Sequence, residues 1–338
     1  MSEEHPVVAV LGAGSWGTAL AKLMADQGFE TRLWARREEQ AQAINETRHN
    51  PRYLKEFALP ESLRATSDLK AAVEGADLIQ VVVPTEANRT VLDALAPMVP
   101  EHTPLVSATK GIEVETLKLV SQIFEDHFPE SRHGFLTYLG GPSFAKEVAA
   151  GVPTAVCIAG KNEAVRQRVQ RYFNTERFRV YTTDDVIGVE VGGALKNVIA
   201  IAAGIADGMS LGHNTRAALI TRGLAELSRL ALRMGAHPLT MAGLAGMGDL
   251  VLTCTGDLSR NRRVGIGLGQ GKKLQDILDE LGMVAEGVKT SKSAHALAAK
   301  LGVDMPITDQ VYEVLYEEKP AAAALQDLMT RPLKEERE

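Results

Sequence analysis

The stretch "VVAVLGAGSWGTALAKLMADQG", residues 7–28, joins a β-branched apolar run to an Ala/Leu-rich run through three glycines. The first run predicts a buried strand and the second a helix, and a further strand at 30–35 ("ETRLWA") completes a βαβ unit. Gly12 would permit a tight turn, Gly14 a close approach of the backbone to a pyrophosphate, and Gly17 close packing of helix on strand. The alternative is a glycine turn that binds nothing, and the flanking strand and helix argue against it. The stretch therefore predicts a dinucleotide site.

The residues after the second strand bear on which dinucleotide is bound. A site for NAD usually places an acid there to bind the ribose, whereas this chain has Arg36 and Arg37. Paired arginines suit a 2′-phosphate and therefore favour NADP(H), although two arginines at the start of an exposed helix could equally form a solvated face.

The composition excludes several classes of protein. The chain has 338 residues, 45% of them hydrophobic and 24% charged, which is typical of a soluble globular protein of two domains. Its net charge of −6 gives no electrostatic footprint for nucleic acid. The longest apolar stretch is interrupted by Lys196, Asn197 and Asp207, and the N-terminus lacks the order of a secretory signal, so we expect a cytosolic protein. Cys157 and Cys254 lack metal-type spacing and are expected to be small buried hydrophobes.

The distribution of strand and helix patterns predicts an α/β fold with two domains. Residues 1–184 are expected to form a Rossmann-type, doubly wound, mostly parallel sheet, and residues 185–338 an all-α domain. Strands are predicted at 7–12, 30–35, 77–84, 103–111, 135–141 and 154–160. Long helices are predicted at 186–206, 214–234, 286–301 and 309–317.

Candidate site residues follow the strands, because ligands of an open parallel sheet lie beyond the carboxyl ends of its strands. Lys110 stands in a glycine-flanked turn, and Gly141-Pro142-Ser143 resembles a helix start with proline in the first turn. In the second half, Asp249 lies between glycines and is followed by the cluster at 259–263, "SRNRR". Arginines of this kind clamp phosphate, yet the cluster could also be an exposed basic helix face.

The helical stretch "EVGGALKNVIAIAAGIADG", residues 190–208, carries Lys196 and Asn197 side by side in the middle of a mostly apolar pattern. At helical spacing the lysine shares its face with five small residues, Gly192, Gly193, Ala200, Ala203 and Gly204. A face of small residues admits either close backbone packing or a small molecule, and periodicity alone does not choose between them.

Seven motifs in order resemble those of bacterial-type NAD(P)-dependent glycerol-3-phosphate dehydrogenases over nearly the full length. They are "GAGSWGTALA" at 12–21, "SATKG" at 107–111, "GPSFAKE" at 141–147, "ALKNVIAIAAGI" from 194, "GLAGMGDLVLTCT" at 243–255, "SRNRRVG" at 259–265 and "VAEGVKT" at 284–290.

The resemblance implies a role for each matching residue. Lys196 would exchange the proton, Lys110 would orient the substrate, and Asp249 would hold Lys196 in register. The cofactor-binding set implied, together with the glycines above, is Ser15, Trp16, Arg36, Arg37, Lys110, Ala145, Arg260, Val284 and Glu286. The substrate-binding set implied is Lys110, Gly141, Ser143, Lys196, Asp249, Ser259, Arg260 and Asn261, with Arg260 and Asn261 on the phosphate.

The implied activity is reversible reduction of dihydroxyacetone phosphate to sn-glycerol 3-phosphate, a precursor of glycerophospholipids. We expect NADP(H) to be preferred and NAD(H) to be used as well. We also expect a cytoplasmic homodimer with a small-molecule substrate and without metal, nucleic acid or membrane insertion. Two alternatives remain at this point: a β-hydroxyacid dehydrogenase, whose substrate carries a carboxylate, and a regulator that binds NADPH without chemistry, which would have little use for Lys196.

Overall fold

A computed structural model describes residues 6–282, 285–333 and 335–336. Within these residues the strands form one eight-stranded sheet in the order β3-β2-β1-β4-β5-β6-β7-β8. The strands are β1 (Val7–Leu11), β2 (Glu30–Trp34), β3 (Leu63–Thr66), β4 (Leu78–Val81), β5 (Leu105–Ser107), β6 (Leu136–Gly140), β7 (Thr154–Gly160) and β8 (Phe178–Thr183).

The strand order is that of a doubly wound dinucleotide-binding sheet, with its switch point between β1 and β4. All pairs are parallel except β6 with β7, which are antiparallel. The predicted fold class, a mostly parallel Rossmann-type sheet followed by helices, is confirmed.

Helices pack on both faces of the sheet, so the strands are buried on both sides. Alternate residues of β1 enter two different apolar clusters, Val8 and Val10 in one and Ala9 and Leu11 in the other. The helices that precede the last strand are α1 (Ser15–Asp26), α2 (Glu38–Thr47), α3 (Leu69–Val73), α4 (Asn88–Leu95), α5 (Val120–His127), α6 (Glu130–His133), α7 (Ala145–Ala149) and α8 (Glu163–Phe173).

The remainder of the described chain is helical. Its helices are α9 (Val186–Gly208), α10 (Gly212–Arg233), α11 (Pro238–Ala242), a π-helical turn (Leu244–Gly248), α12 (Asp249–Thr255), α13 (Arg260–Gly269), α14 (Leu274–Leu281), α15 (Glu286–Leu301), α16 (Pro306–Tyr316) and α17 (Ala321–Met329). The four long helices predicted from periodicity correspond to α9, α10, α15 and α16.

Two strands are missing from the prediction, β3 and β8. Both carry exposed polar or aromatic side chains at alternate positions, Arg64 in β3 and Arg179 and Tyr181 in β8. Edge strands that are covered on one face do not have the continuous apolar run that identified the central strands. The six predicted strands are present, and most of them are shorter than their sequence patterns.

The chain divides into two compact units. The first takes the chain up to Lys110, then Lys118–Glu190 and Gly243–Ala245, and the second takes Gly111–Leu117, Val191–Ala242 and the chain from Gly246. The division along α9 thus falls between Glu190 and Val191, and the boundary after residue 184 stays a prediction.

Helix α9 is the one unbroken helix among the described residues that is long and apolar enough to cross a membrane. Its most apolar window is 89% buried inside the protein, as in the core helix of a folded domain. Cys157 and Cys254 are free and buried, as expected.

Glu190 is a carboxyl buried inside the first unit. The Ser121 N–H donates to its Oε1 at 2.8 Å, while its Oε2 and the Tyr138 hydroxyl are buried with no hydrogen-bond partner among the described residues. Burial raises the pKa of Glu190 from 4.5 to about 8, and the charge of Glu125 acts in the same direction. The folded protein therefore holds a proton here at neutral pH.

We expect this proton to make stability depend on pH. As pH rises from about 4.5 through about 8, the unfolded chain releases the proton first, so the free energy of unfolding falls by a few kcal/mol. Glu190→Gln, which mimics the protonated carboxyl, should make this slope shallower in urea unfolding at pH 5, 6.5 and 8. The part of the slope that comes from Glu226, whose pKa burial raises to about 7, should remain. The exposed control Glu163→Gln should retain it, and an unchanged slope in Glu190→Gln would contradict the assignment.

Candidate active site

The three glycines of the first turn differ in what surrounds them. A Cβ added to Gly12, whose φ is +122°, would lie 2.3 Å from the Val82 carbonyl oxygen, and one added to Gly17 would lie 1.8 Å from the Gly12 oxygen. A Cβ at Gly14 would meet no atom within 4 Å. Gly12 and Gly17 are therefore required by the fold, whereas the space beside Gly14 is open to a ligand.

The N-terminus of α1 leaves donors available beside that space. Gly14 is the residue before the helix and offers no side chain to its first N–H groups, and Ser15 is the first helical residue. The buried indole N–H of Trp16 has no acceptor among the described residues. Unsatisfied donors at a helix start bind anions, so these residues fit a pyrophosphate.

Arg36 and Arg37 are exposed at the carboxyl end of β2, and neither forms an ion pair with another described residue. Glu38 follows them in the first turn of α2, where its carboxylate accepts a hydrogen bond from the Ser67 hydroxyl. The two guanidinium groups thus lie without a carboxylate partner, as a 2′-phosphate would require.

Three residues predicted to bind substrate meet in the first unit. Lys110 Nζ donates to the Gly141 carbonyl oxygen at 3.3 Å, and the Ser143 hydroxyl donates to the same oxygen at 3.0 Å. The predicted helix start at Gly141-Pro142-Ser143 is wrong, because α7 begins at Ala145. Gly141 has a φ of +120° and turns the chain, and the Ser143 hydroxyl closes that turn instead of capping a helix.

The central feature of the second unit is a buried ion pair. Lys196 Nζ lies 2.5 Å from Asp249 Oδ1, and the two residues are 8% and 0% exposed. The Thr253 hydroxyl donates to the Asp249 backbone carbonyl at 2.6 Å and lies 3.5 Å from Oδ1. Within the pair, each charge compensates the other in the interior.

Asp249 reaches this position through an unusual backbone. It is the first residue of α12 and follows the π-helical turn Leu244–Gly248. A Cβ on Gly246 would lie 2.1 Å from the Met241 carbonyl oxygen, so only glycine fits there. Short π-helical turns occur often at functional sites, and this one directly precedes the buried carboxylate.

The small residues beyond Lys196 are partly explained by backbone packing. A Cβ on Gly204 would lie 2.1 Å from the Arg262 carbonyl oxygen, and one on Gly265 would lie 2.1 Å from the Ile201 oxygen. This end of the small-residue face is therefore covered by α13 and is not open to a ligand.

The cluster at 259–263 separates into different roles. Ser259 caps α13 by accepting a hydrogen bond from the Arg262 N–H at 3.2 Å, and Arg262 itself pairs with Asp207 at 2.8 Å. Arg263 is exposed, whereas Arg260 is partly buried and forms no ion pair within the described residues. Arg260 is therefore the arginine of this cluster best placed for a phosphate.

Asn261 belongs to a buried amide network. Its Nδ2 donates to Asn197 Oδ1 at 2.8 Å, and its Oδ1 accepts from the Gly287 N–H at 2.9 Å. Glu286 precedes Gly287 as the first residue of α15, and Val284 lies outside the described residues.

Asn197 and Thr253, which bond to Asn261 and Asp249, were not predicted as site residues. Each had a signal, Asn197 as a second polar residue in an apolar helix and Thr253 one helical turn after Asp249.

Both halves of the chain match one protein family. Residues 7–166 match the NAD-dependent glycerol-3-phosphate dehydrogenase N-terminus, and residues 185–326 match the NAD-dependent glycerol-3-phosphate dehydrogenase C-terminus. The chain belongs to this family. A glycerol-3-phosphate dehydrogenase (NAD(P)+) of Geobacter sp. (strain M21) is 56% identical over 329 residues, which are 97% of this chain and 98% of that relative.

Solved structures of the glycerol-3-phosphate dehydrogenase family agree with this membership. The crystal structure of glycerol-3-phosphate dehydrogenase from Coxiella burnetii has a TM-score of 0.91 and 42% identity, and the alignment covers 97% of this chain and 99% of that one. The enzyme from Saccharomyces cerevisiae has a TM-score of 0.82 and 28% identity, with 96% and 99% covered.

The contrast between Gly14 and Gly17 gives a direct test of the glycine turn in this family member. Gly14→Ala should leave the melting temperature within a degree or two and weaken NADPH binding at least tenfold, because its methyl group would occupy only ligand space. Gly17→Ala should instead lower the melting temperature, since its methyl group overlaps the Gly12 oxygen. Fluorescence titration and thermal melting measure the two effects. Normal NADPH affinity in Gly14→Ala would show that the dinucleotide binds elsewhere.

Proposed function

We propose that the protein reduces dihydroxyacetone phosphate to sn-glycerol 3-phosphate, reversibly, with NAD(P)H as hydride donor. Family membership over both halves of the chain supports the reaction, and the glycine turn with its uncapped helix start supports the dinucleotide. The observation that carries the mechanism is the buried pair of Lys196 and Asp249. It keeps a proton donor buried in the middle of a helix that is mostly apolar.

In this mechanism Lys196 is the general acid. When bound, NAD(P)H supplies hydride to the ketone carbon. The ammonium of Lys196 donates a proton to the carbonyl oxygen, so the ketone becomes an alcohol and the amine is left neutral. In the oxidative direction the neutral amine takes the hydroxyl proton. Asp249 orients the amine and stabilises its charged form.

The remaining substrate contacts are assigned on the family motifs and the local geometry. Arg260 binds the phosphate as a charge-assisted fork. One hydrogen of the Asn261 side-chain amide is not used in the buried network and donates to the substrate. The Ser259 hydroxyl accepts a hydrogen bond as the cap of α13, and its own hydrogen donates to the substrate. Lys110 orients the substrate from the turn that it shares with Gly141 and Ser143.

The proposed cofactor set includes residues from both halves of the sequence. Arg36 and Arg37 bind the 2′-phosphate of the preferred NADP(H), with NAD(H) used as well. The other members are Gly12, Gly14, Ser15, Trp16, Gly17, Lys110, Ala145, Arg260, Val284 and Glu286. We further propose domains at 1–184 and 185–338, a cytoplasmic homodimer, and a role in supplying glycerophospholipid synthesis.

The decisive assay follows NADPH oxidation with three ketones at equal concentration. Dihydroxyacetone phosphate should be turned over, whereas unphosphorylated dihydroxyacetone and a 3-keto acid, the oxidised form of a β-hydroxyacid, should be far slower. Faster oxidation with the keto acid would favour a hydroxyacid dehydrogenase and overturn the assignment. NADPH binding without oxidation by any of the three would indicate a cofactor sensor.

We expect Lys196→Met to lower kcat by about 10²–10⁴-fold, the usual contribution of a general acid. The dissociation constant of NADPH should stay within about threefold. Because the variant removes the ion pair that Lys196 forms with the buried Asp249, its stability must be checked by melting. Exposed Lys300→Met serves as the control, and turnover near the wild-type level in a folded Lys196→Met protein would exclude Lys196 as the acid.

Arg260→Ala should raise the KM for dihydroxyacetone phosphate by roughly ten- to a hundredfold, since a charge-assisted contact contributes about 1.5–3 kcal/mol. Binding of the cofactor is expected to weaken less. Arg263→Ala on the same helix is the matched control because Arg263 is exposed. If both variants keep the wild-type KM, the phosphate binds elsewhere.

Arg36→Asp should shrink or invert the ratio of kcat/KM for NADPH over NADH, mainly by weakening NADPH. One charge-assisted hydrogen bond corresponds to roughly a ten- to hundredfold preference in the wild type. Steady-state kinetics with both cofactors measure the ratio, and exposed Arg64→Asp controls for the change of charge. An unchanged ratio in Arg36→Asp would show that this arginine only faces solvent.

A further inference from the structure

The backbone carbonyl of Ala13, in the middle of the glycine turn, accepts two hydrogen bonds from side-chain amides. Gln40 Nε2 donates to it at 2.8 Å and Asn50 Nδ2 donates to it at 3.0 Å. Neither residue belongs to the glycine motif or to the site residues assigned above. The two amides hold the direction in which this carbonyl points.

Asn50 is fully buried and its amide is fully used. Its Nδ2 also donates to the Thr18 hydroxyl at 2.8 Å, and its Oδ1 accepts from the N–H groups of Arg52 and Tyr53, each at 3.2 Å. Gln40 Nε2 is a fifth partner, because it also donates to Asn50 Oδ1 at 3.4 Å. A side chain fixed by five hydrogen bonds is a rigid support for the Ala13 carbonyl.

The direction of this carbonyl sets the direction of the next N–H. In a planar trans peptide the C=O of one residue and the N–H of the following residue point in opposite directions. With the Ala13 oxygen held by Gln40 and Asn50, the Gly14 N–H points the other way. That N–H has no acceptor among the described residues, and the space beside Gly14 is open.

Without the two amides, this peptide unit would have a low barrier to reorientation. Gly14 lacks a Cβ and tolerates both signs of φ, so rotation of the Ala13–Gly14 peptide is not opposed by a side chain. A rotated peptide would present the carbonyl oxygen to the ligand instead of the N–H, and two negative groups would then face each other.

We propose that Gln40 and Asn50 are positioning residues for the dinucleotide, which fix the Gly14 N–H toward the pyrophosphate. This inference rests on the proposed dinucleotide function. Gln40 lies in the first turn of α2, and Asn50 lies shortly after Thr47, the last residue of that helix. They act on the pyrophosphate common to NADH and NADPH, unlike Arg36 and Arg37, which distinguish the two.

The test compares three variants. Asn50→Asp keeps the oxygen that accepts from Arg52 and Tyr53 and loses the amide that donates to the Ala13 carbonyl and to the Thr18 hydroxyl. Gln40→Met removes the other donor at a partly exposed position. Gln42→Met is the matched control on the same helix, since Gln42 is exposed and its amide donates to Glu38 instead.

Dissociation constants for NADH, NADPH and adenosine 2′-phosphate are measured by fluorescence and competition. Asn50→Asp and Gln40→Met should each weaken the binding of NADH and of NADPH about three- to tenfold, which is the usual effect of losing a hydrogen bond. The ratio of the two dissociation constants should stay unchanged within about twofold. Adenosine 2′-phosphate, which has the 2′-phosphate but no pyrophosphate, should bind equally well to all variants. The control Gln42→Met should have the dissociation constants of the wild type. The kcat of Asn50→Asp and Gln40→Met at saturating NADPH should stay within about twofold of the wild-type value.

Two results would overturn the inference: unchanged affinity for both dinucleotides in the folded Gln40→Met protein, or an equal loss for adenosine 2′-phosphate. If Asn50→Asp fails to fold, Gln40→Met decides alone. Activity of the wild-type protein distinguishes failure of this inference from failure of the proposed function. Wild-type NADPH oxidation with dihydroxyacetone phosphate supports that function, whatever the variants show.

Discussion

A lysine inside an apolar helix is stable as a cation only when a carboxylate compensates its charge, and here Asp249 lies 2.5 Å from Lys196. Removing either partner leaves a buried charge that costs several kcal/mol, so much of the local backbone serves to bring them together. The π-helical turn before α12 places the carboxylate, and Gly246 permits that turn because a side chain there would collide with Met241. Stability and chemistry therefore depend on the same pair.

Backbone contact between α9 and α13 supports the site around this pair. Gly204 and Gly265 let the two helix backbones approach closely, since a Cβ on either glycine would lie 2.1 Å from a backbone oxygen of the other helix. That approach allows Asn197 on the lysine's helix to accept a hydrogen bond from Asn261, which directly follows Arg260. The glycines thus link the proton donor to the arginine assigned to the phosphate.

The sequence predicted those parts of the fold that have one clear residue pattern. It failed where tertiary contacts determine the local structure. Continuous apolar runs identified the central strands, whereas β3 and β8 were hidden by side chains that face solvent. The glycine turn was readable because the glycine spacing lies between a strand pattern and a helix pattern. The start of α7 was not readable, since the φ of Gly141 and the Ser143 hydroxyl decide it. Likewise the residue pattern alone did not separate the three arginines of the cluster at 259–263, and only the fold shows Asp207 beside Arg262.

The central claim is that Lys196 and Asp249 act as one unit on the substrate proton. A double-mutant cycle on kcat/KM for dihydroxyacetone phosphate, with Lys196→Met, Asp249→Asn and the double variant, tests it most directly. The account predicts strong non-additivity: the double variant should lose no more activity than the worse single variant, because either change alone disables the unit. Losses that multiply, so that the double variant falls by the product of the two single effects, would show independent roles and contradict the account.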